Sequence, residues 1–230
     1  SGKIFVVDFG GQTAHLITRR LKDLGIESEL IDPDDALKVC IKAQPQGLIF
    51  SGGPAFVYEK GAPSISPKIF DLGIPVLGIC YGWQIMAHLL GGKVESGNKE
   101  YGPTNLEITD FKNLFYGLPA KTKVIESHGD TVKKMPLGFE ILASTETVKF
   151  AAVVSPAKKF YGVQFHPEAH HTKHGIDILK NFATRVCNLA LNPQKLDIDE
   201  MIWEIKEKVG KKKVIGAFSG GTDSAVAGVM

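Results

Sequence analysis

Cys80 stands between two glycines in Gly78-Ile79-Cys80-Tyr81-Gly82. The apolar run Ile74-Pro75-Val76-Leu77 precedes it, and the helix-like Trp83-Gln84-Ile85-Met86-Ala87-His88-Leu89-Leu90 follows. This is the spacing of a G-x-nucleophile-x-G elbow with sulfur as the nucleophile. So tight a strand-to-helix turn admits only glycine on either side, and it lifts the thiol out of the sheet edge to a helix N-terminus. There the backbone N–H groups and the helix dipole favour thiolate over thiol. Acyl transfer is the chemistry such a cysteine serves.

Two other segments supply what that thiol needs. Phe165-His166-Pro167-Glu168 follows the strand-like Phe160-Tyr161-Gly162-Val163 and offers a base and a carboxylate to orient it. If the strand continues through His166 and Glu168, both side chains leave on one face. Ile49-Phe50-Ser51-Gly52-Gly53-Pro54 also ends a strand. Its paired glycines let backbone N–H groups approach a substrate oxygen, as an oxyanion hole requires. Each motif alone has an ordinary explanation: an inert buried thiol, a structural histidine, a Ser-Gly turn. Together they sit at the C-terminal ends of expected strands, where open α/β sheets bind ligands.

The order Ser51-Gly52-Gly53-Pro54, Gly78-Ile79-Cys80-Tyr81-Gly82 with Gln84, Ser127-His128-Gly129-Asp130, then Gly162-Val163-Gln164-Phe165-His166-Pro167-Glu168 resembles the class I glutamine amidotransferase family over nearly the whole chain. Supporting segments are Asp8-Phe9-Gly10-Gly11-Gln12, Arg19-Arg20, Val57-Tyr58 and Lys99-Glu100-Tyr101-Gly102. The finer wording is similar to the GMP-forming branch of that family. The resemblance implies a flavodoxin-like α/β fold and glutamine hydrolysis. Cys80 would attack the side-chain amide, His166 would shuttle protons and Glu168 would hold the imidazole. It assigns the oxyanion hole to the backbone N–H groups of Gly53 and Tyr81, and glutamine contacts to Gly52, Gln84, Ser127, Gly129 and Asp130. Where the family pattern has other residues, this chain has Thr13, Trp83, Ile125-Glu126 and Thr222. A bulky Trp83 and a charged Glu126 are expected to alter the pocket wall or domain docking.

A second signature lies at the C-terminus. Lys213-Val214-Ile215-Gly216-Ala217-Phe218 reads as a strand, Ser219-Gly220-Gly221-Thr222-Asp223-Ser224 follows, and a helix starts at Ala225. A Gly-rich turn between strand and helix cradles anions. It lacks the Gly-Lys-Ser/Thr of the Walker type and resembles the pyrophosphate loop of ATP pyrophosphatases. The resemblance implies a synthetase domain using ATP and Mg²⁺, in which ammonia aminates an adenylated XMP. The glutaminase domain itself needs no cofactor, and a homodimer is one assembly the resemblance allows for the full-length protein. The chain stops one turn or so into that last helix, so the expectation is a truncated piece of a longer protein, with Ser1-Gly2 a tag remnant. Expected domains are an amidotransferase domain over 1–190, a linker over 191–200 and the start of the synthetase domain over 201–230.

Composition fits a cytoplasmic enzyme. The 230 residues are 43% hydrophobic and 23% charged, with net charge +2, which gives no case for nucleic acid or a membrane surface. Cys40, Cys80 and Cys187 are odd in number and widely spaced, which argues for a reducing compartment. Asp8 interrupts the N-terminal apolar run too early for a signal peptide or membrane span. The histidines from His166 to His174 could suggest a metal site, but no cysteine or second carboxylate cluster accompanies them. No metal is expected there, and His170, His171 and His174 read as a solvated loop.

Strands are expected at Lys3–Asp8, Glu27–Ile31, Gly47–Ser51, Pro75–Ile79, Asn105–Thr109, Val124–Ser127, Glu140–Ala143, Ala151–Ser155 and Phe160–Phe165. Helices are expected to start near Gln12, Asp34, Ser66, Gly82 and Gly175, with a further one at Ile198–Val209. The first four strands alternate with helices, which predicts an open, mostly parallel sheet with helices on both faces. The later strands read as antiparallel hairpins added to it. Three readings remain open on residues alone: a glutaminase feeding a GMP-forming synthetase; the amidotransferase of another pathway, such as anthranilate or carbamoyl phosphate synthesis; and a noncatalytic domain that binds glutamine or docks to a partner. The Ser-Gly-Gly-x-Asp-Ser tail discriminates the first two, and an intact triad argues against the third.

Overall fold

Four-residue runs of apolar side chains, buried along their whole length, build the centre of the sheet. In chain order the strands are β1 (Ile4–Val7), β2 (Ser28–Ile31), β3 (Gly47–Phe50), β4 (Val76–Ile79), β5 (Lys93–Ile108), β6 (Lys121–Lys134), β7 (Glu140–Ser144), β8 (Ala152–Ser155) and β9 (Phe160–Val163). Every residue of β1, β3, β4, β8 and β9 is buried, as strands covered on both faces must be. The computed structural model describes residues 2–192 and Lys206. The expected helix from Ile198 lies, but for Lys206, outside the described residues, as do the loop Ser219–Ser224 and most of the linker.

The helices are α1 (Ala14–Asp23), α2 (Pro33–Ala43), α3 (Tyr81–Leu89) and α4 (Gly175–Asn181). Successive side chains of β1 go to opposite faces. Ile4 and Val6 join Ile17 and Leu21 of α1 and Ile178 and Leu179 of α4 in one core. Phe5 and Val7 join Ala36 and Cys40 of α2 and Trp83, Ile85 and Met86 of α3 in the other. Helix α2 starts where Asp32 accepts a hydrogen bond from the Asp34 amide at 2.9 Å, with Pro33 in the first helical position, where its missing N–H costs nothing.

The sheet order is β2-β1-β3-β4-β9-β8-β7-β5-β6. Pairings from β2 to β9 are parallel and those from β9 to β6 antiparallel, so the sheet is mixed, with the expected antiparallel strands extending the parallel part. The last strand in sequence, β9, lies beside β4 and parallel to it. The sequence-based hairpin β5–β6 is far longer than expected. Residues 93–104 are polar and hold Gly97, Gly102 and Pro103, so their own propensity is low; it is the β6 partner that makes them a strand. Near Ser66 the expected helix is a 3₁₀ turn, Pro67–Asp71.

Candidate active site

The ends of three adjacent strands build the site. Strand β4 delivers Cys80, whose φ of 50° and ψ of −108° are those of a strained elbow; a non-glycine residue at positive φ stores strain that the surrounding fold must impose. The flanking glycines are required by close packing. A Cβ on Gly78 would lie 2.7 Å from the Gly82 carbonyl oxygen, and one on Gly82 would lie 2.2 Å from the Phe50 carbonyl oxygen. Sulfur is thereby set at the N-terminus of α3, beside the Tyr81 amide, which has no acceptor within the helix. The Tyr81 side chain turns away: its hydroxyl donates to the Pro63 carbonyl, and burial pushes it up to about 12.

Strand β9 ends at Val163, short of His166. The expectation that the strand carries His166 and Glu168 out on one face is therefore corrected: both lie in a turn. The turn still pairs them, with His166 Nδ1 2.8 Å from Glu168 Oε1. The loop is pinned from the β6 side: the His166 amide donates to the Ile125 carbonyl at 3.0 Å, Thr172 Oγ donates to the His166 carbonyl at 2.6 Å and the Ile125 amide donates to Thr172 Oγ at 3.1 Å. Arg20 reaches the Glu168 carbonyl at 3.5 Å. The Cys80 sulfur is the imidazole's other partner. Burial disfavours a charged imidazole, but hydrogen bonding and attraction from Cys80 and Glu168 outweigh it and hold His166 well above its ordinary range. Such a pairing can keep an imidazolium against a thiolate.

Ser51 sets the turn after β3. Its hydroxyl accepts from the Phe9 amide at 3.0 Å and donates to the Gly52 carbonyl at 2.9 Å. That carbonyl shares a peptide plane with the Gly53 N–H, so fixing one aims the other in the opposite direction. Gly52 leaves room for the histidine: a Cβ there would stand 3.0 Å from His166 Cε1.

A cavity of about 530 Å³ opens over the sulfur, lined by Gly52, Gly53, Cys80, Gln84, Ser127, Gly129, Asp130 and His166, a volume ordinary for small-molecule sites. All five expected glutamine contacts are therefore brought to one place. Strand β6 stands at the far edge of the sheet, yet its length carries Ser127 back to the elbow, with its carbonyl 3.7 Å from Cys80 Sγ. Gln84 is buried and donates to the Asp130 carbonyl at 2.9 Å, so it braces the wall. The Tyr58 hydroxyl stands beside the Asp130 carboxylate, and that neighbour pushes the phenol up. Sequence reasoning overlooked Gln164, fully buried, which donates to Cys80 Sγ at 3.6 Å; its place inside Gly162–Glu168 was the available signal. Thr172 carried no such signal.

Trp83 and Glu126 do not line the pocket. Trp83 is fully buried beneath Phe139, ring centroids 5.4 Å apart, and fills the space that a Cβ on Gly162 would take. Glu126 points to the face of β6 opposite Ser127. The expected change to the pocket wall is corrected on both counts, because each side chain goes inward. The other thiols are insulated: burial pushes Cys40 up to about 11 and Cys187 up to about 12. His170, His171 and His174 are exposed, as expected.

A thiol at an elbow, an imidazole between it and a carboxylate, and backbone N–H groups over a pocket define a cysteine-dependent acyl-transfer site on an α/β sheet. The family model of glutamine amidotransferase class-I matches residues 5–186, and the chain belongs to that family. It is 50% identical over 231 residues to the GMP synthase (glutamine-hydrolyzing) of Lactobacillus acidophilus and 48% identical over 230 residues to that of Enterococcus faecalis, in each case over 99% of this chain. It covers 45% and 44% of those proteins, so the chain spans just under half the length of the curated relatives it matches. A solved structure from Thermoplasma acidophilum, of a protein provisionally assigned to GMP synthase, is 31% identical with a TM-score of 0.72, covering 90% of this chain and 98% of that one. A glutamine amidotransferase of Thermotoga maritima shares the fold, with a TM-score of 0.56 at 21% identity, covering 91% of this chain and 92% of that one. No helix among the described residues is long and apolar enough to cross a membrane.

Proposed function

We propose that this chain is the glutamine-hydrolysing half of a GMP-forming synthetase. The chain of contacts Cys80–His166–Glu168 beneath the pocket carries the reading. Glutamine enters with its side-chain amide over the sulfur. The Cys80 thiolate attacks the amide carbon, and the Gly53 and Tyr81 amides take the developing oxyanion. The tetrahedral adduct collapses as the C–N bond breaks, and the imidazolium of His166 gives its proton to the leaving ammonia. His166, now neutral, takes a proton from water, which attacks the thioester; glutamate leaves and the thiolate returns. Glu168 keeps the ring oriented throughout. Gln84, Ser127, Gly129 and Asp130 hold the amino acid end.

The finer assignment rests on the curated relatives, which match this chain from end to end, and on Ser219–Ser224. In the longer protein, ammonia would pass to a synthetase domain binding ATP, Mg²⁺ and XMP and aminate the adenylated nucleotide. Exposed Phe56 and Tyr101 at the pocket suit a partner's face better than bulk water. A cytoplasmic setting suits Cys40, Cys80 and Cys187, all free thiols. The deciding experiment is glutamate release by this chain, supplemented with an intact synthetase domain, ATP, Mg²⁺ and XMP. Release that depends on Cys80 supports the reading; binding of glutamine without turnover under every condition would make the chain a docking or sensing module.

A further inference from the structure

We propose that Glu100, Glu126 and His128 bind one divalent transition-metal ion of the zinc type, on the face of the β5–β6 hairpin that buries Glu126, at a point where His128 also borders the cavity over Cys80. Antiparallel register sets Glu100 opposite His128 and Gly102 opposite Glu126, so the three side chains leave the hairpin together. His128 Nε2 lies 3.0 Å from Glu126 Oε2 and 3.9 Å from Glu100 Oε2, and one donor atom from each residue falls within 4.8 Å of the others. Donors bound tetrahedrally at about 2.0–2.2 Å stand roughly 3.4 Å apart, between the two shorter separations.

The second observation is that Glu126 and His128 make no side-chain hydrogen bond among the described residues. The side chains of Glu126 and His128 are 1% and 2% exposed, yet among the described residues both Glu126 oxygens and both His128 nitrogens lack a hydrogen-bond partner. They approach each other to 3.0 Å without making a hydrogen bond. Buried polar groups are nearly always paired, and buried charges pair or coordinate metals. A divalent cation would take donors from both carboxylates and from the imidazole. An imidazole beside carboxylates suits zinc better than magnesium or calcium, which take oxygen donors. The site is separate from the His166–His174 run. The bound ion would stiffen β6 directly behind Ser127 and Gly129, which line the pocket.

The test is Zn²⁺ titration of the metal-stripped chain by calorimetry, with metal analysis after gel filtration. A Cys80→Ala background removes the reactive thiol as a competing ligand. One ion per chain is expected, with a rise in Tm on loading. Glu126→Gln and His128→Gln should weaken binding at least tenfold and abolish that rise, whereas a His170→Ala/His171→Ala/His174→Ala variant should bind as the parent does. Co²⁺ in place of Zn²⁺ should give visible absorption bands that Glu126→Gln removes. Should the Gln variants fold poorly, Glu126→Met, an apolar side chain of similar length for a buried position, should fold and bind no ion. No binding at micromolar Zn²⁺, binding unchanged by Glu126→Met, or binding lost in the surface-histidine variant would each overturn the proposal.

Discussion

The backbone amide of Cys80 donates to the carbonyl of Val163 at 2.8 Å. It is the last rung between β4 and β9, and it ties the elbow to the chain that runs on through Gln164 to His166. The thiol and its base are thus held by the sheet itself. Residues distant in sequence meet because two parallel strands end level with each other.

Cys80→Ala should lower glutamate release by about 10⁴-fold or more, while Cys40→Ala and Cys187→Ala keep it near the parent's rate. Only Cys80 touches a base; the other two thiols are buried and held protonated. The check is steady-state glutaminase assay with circular dichroism on each variant. Comparable turnover by Cys80→Ala would remove the thioester route.

Glu168→Gln should reduce kcat by about 10²–10⁴-fold and move the alkaline limb of the pH–rate profile toward lower pH. The carboxylate helps to raise His166. Without it, burial pulls the imidazole the other way and the proton is lost sooner. The same linkage reaches stability. A histidine raised in the folded state stabilises fully below its unfolded value, near 6.5, and that contribution disappears as pH rises through the folded value. Parent Tm should fall across that window, and the Glu168→Gln curve should be flatter.

Ser51→Ala should lower kcat by roughly 10-fold to 10²-fold with little change in KM, since the lost hydroxyl releases the peptide that aims the Gly53 N–H. Gly53→Ala should be worse, because its Cβ would stand 2.6 Å from the Phe9 carbonyl oxygen. A Ser51→Ala effect confined to KM would assign the turn to substrate binding instead of the oxyanion.

Trp83→Ala should destabilise the chain by about 3–5 kcal/mol, read by urea unfolding, and leave KM for glutamine near the parent's. A large KM change at unaltered stability would put Trp83 at the pocket after all.

Glutamate release by the chain alone should be slow, and should rise about 10²–10³-fold when an intact synthetase domain, ATP, Mg²⁺ and XMP are added. Ammonia made without an acceptor is wasted, which favours control by the partner. Equal rates with and without these additions would make the chain a free-standing glutaminase.

Much of this site was legible before any folding was considered. Gly78, Cys80 and Gly82 declare a turn whose sterics are local, and short runs such as Ile4–Val7 and Val76–Ile79 can only be buried strands. The alternation of strand and helix through α3 states a parallel sheet, because that connection has few other solutions. Tertiary structure decided what depends on partners distant in sequence. It put β9 against β4, and so His166 against Cys80. It paired His166 with Glu168 through a turn where the periodicity of a strand had suggested a shared face. It made a strand of residues 93–104, which lack the propensity for one, by laying β6 along them. It sent Trp83 and Glu126 inward, because which face of a strand or helix is buried depends on what packs there. The gathering of Glu100, Glu126 and His128 was likewise invisible in sequence: cross-strand register brings together residues that no local spacing relates.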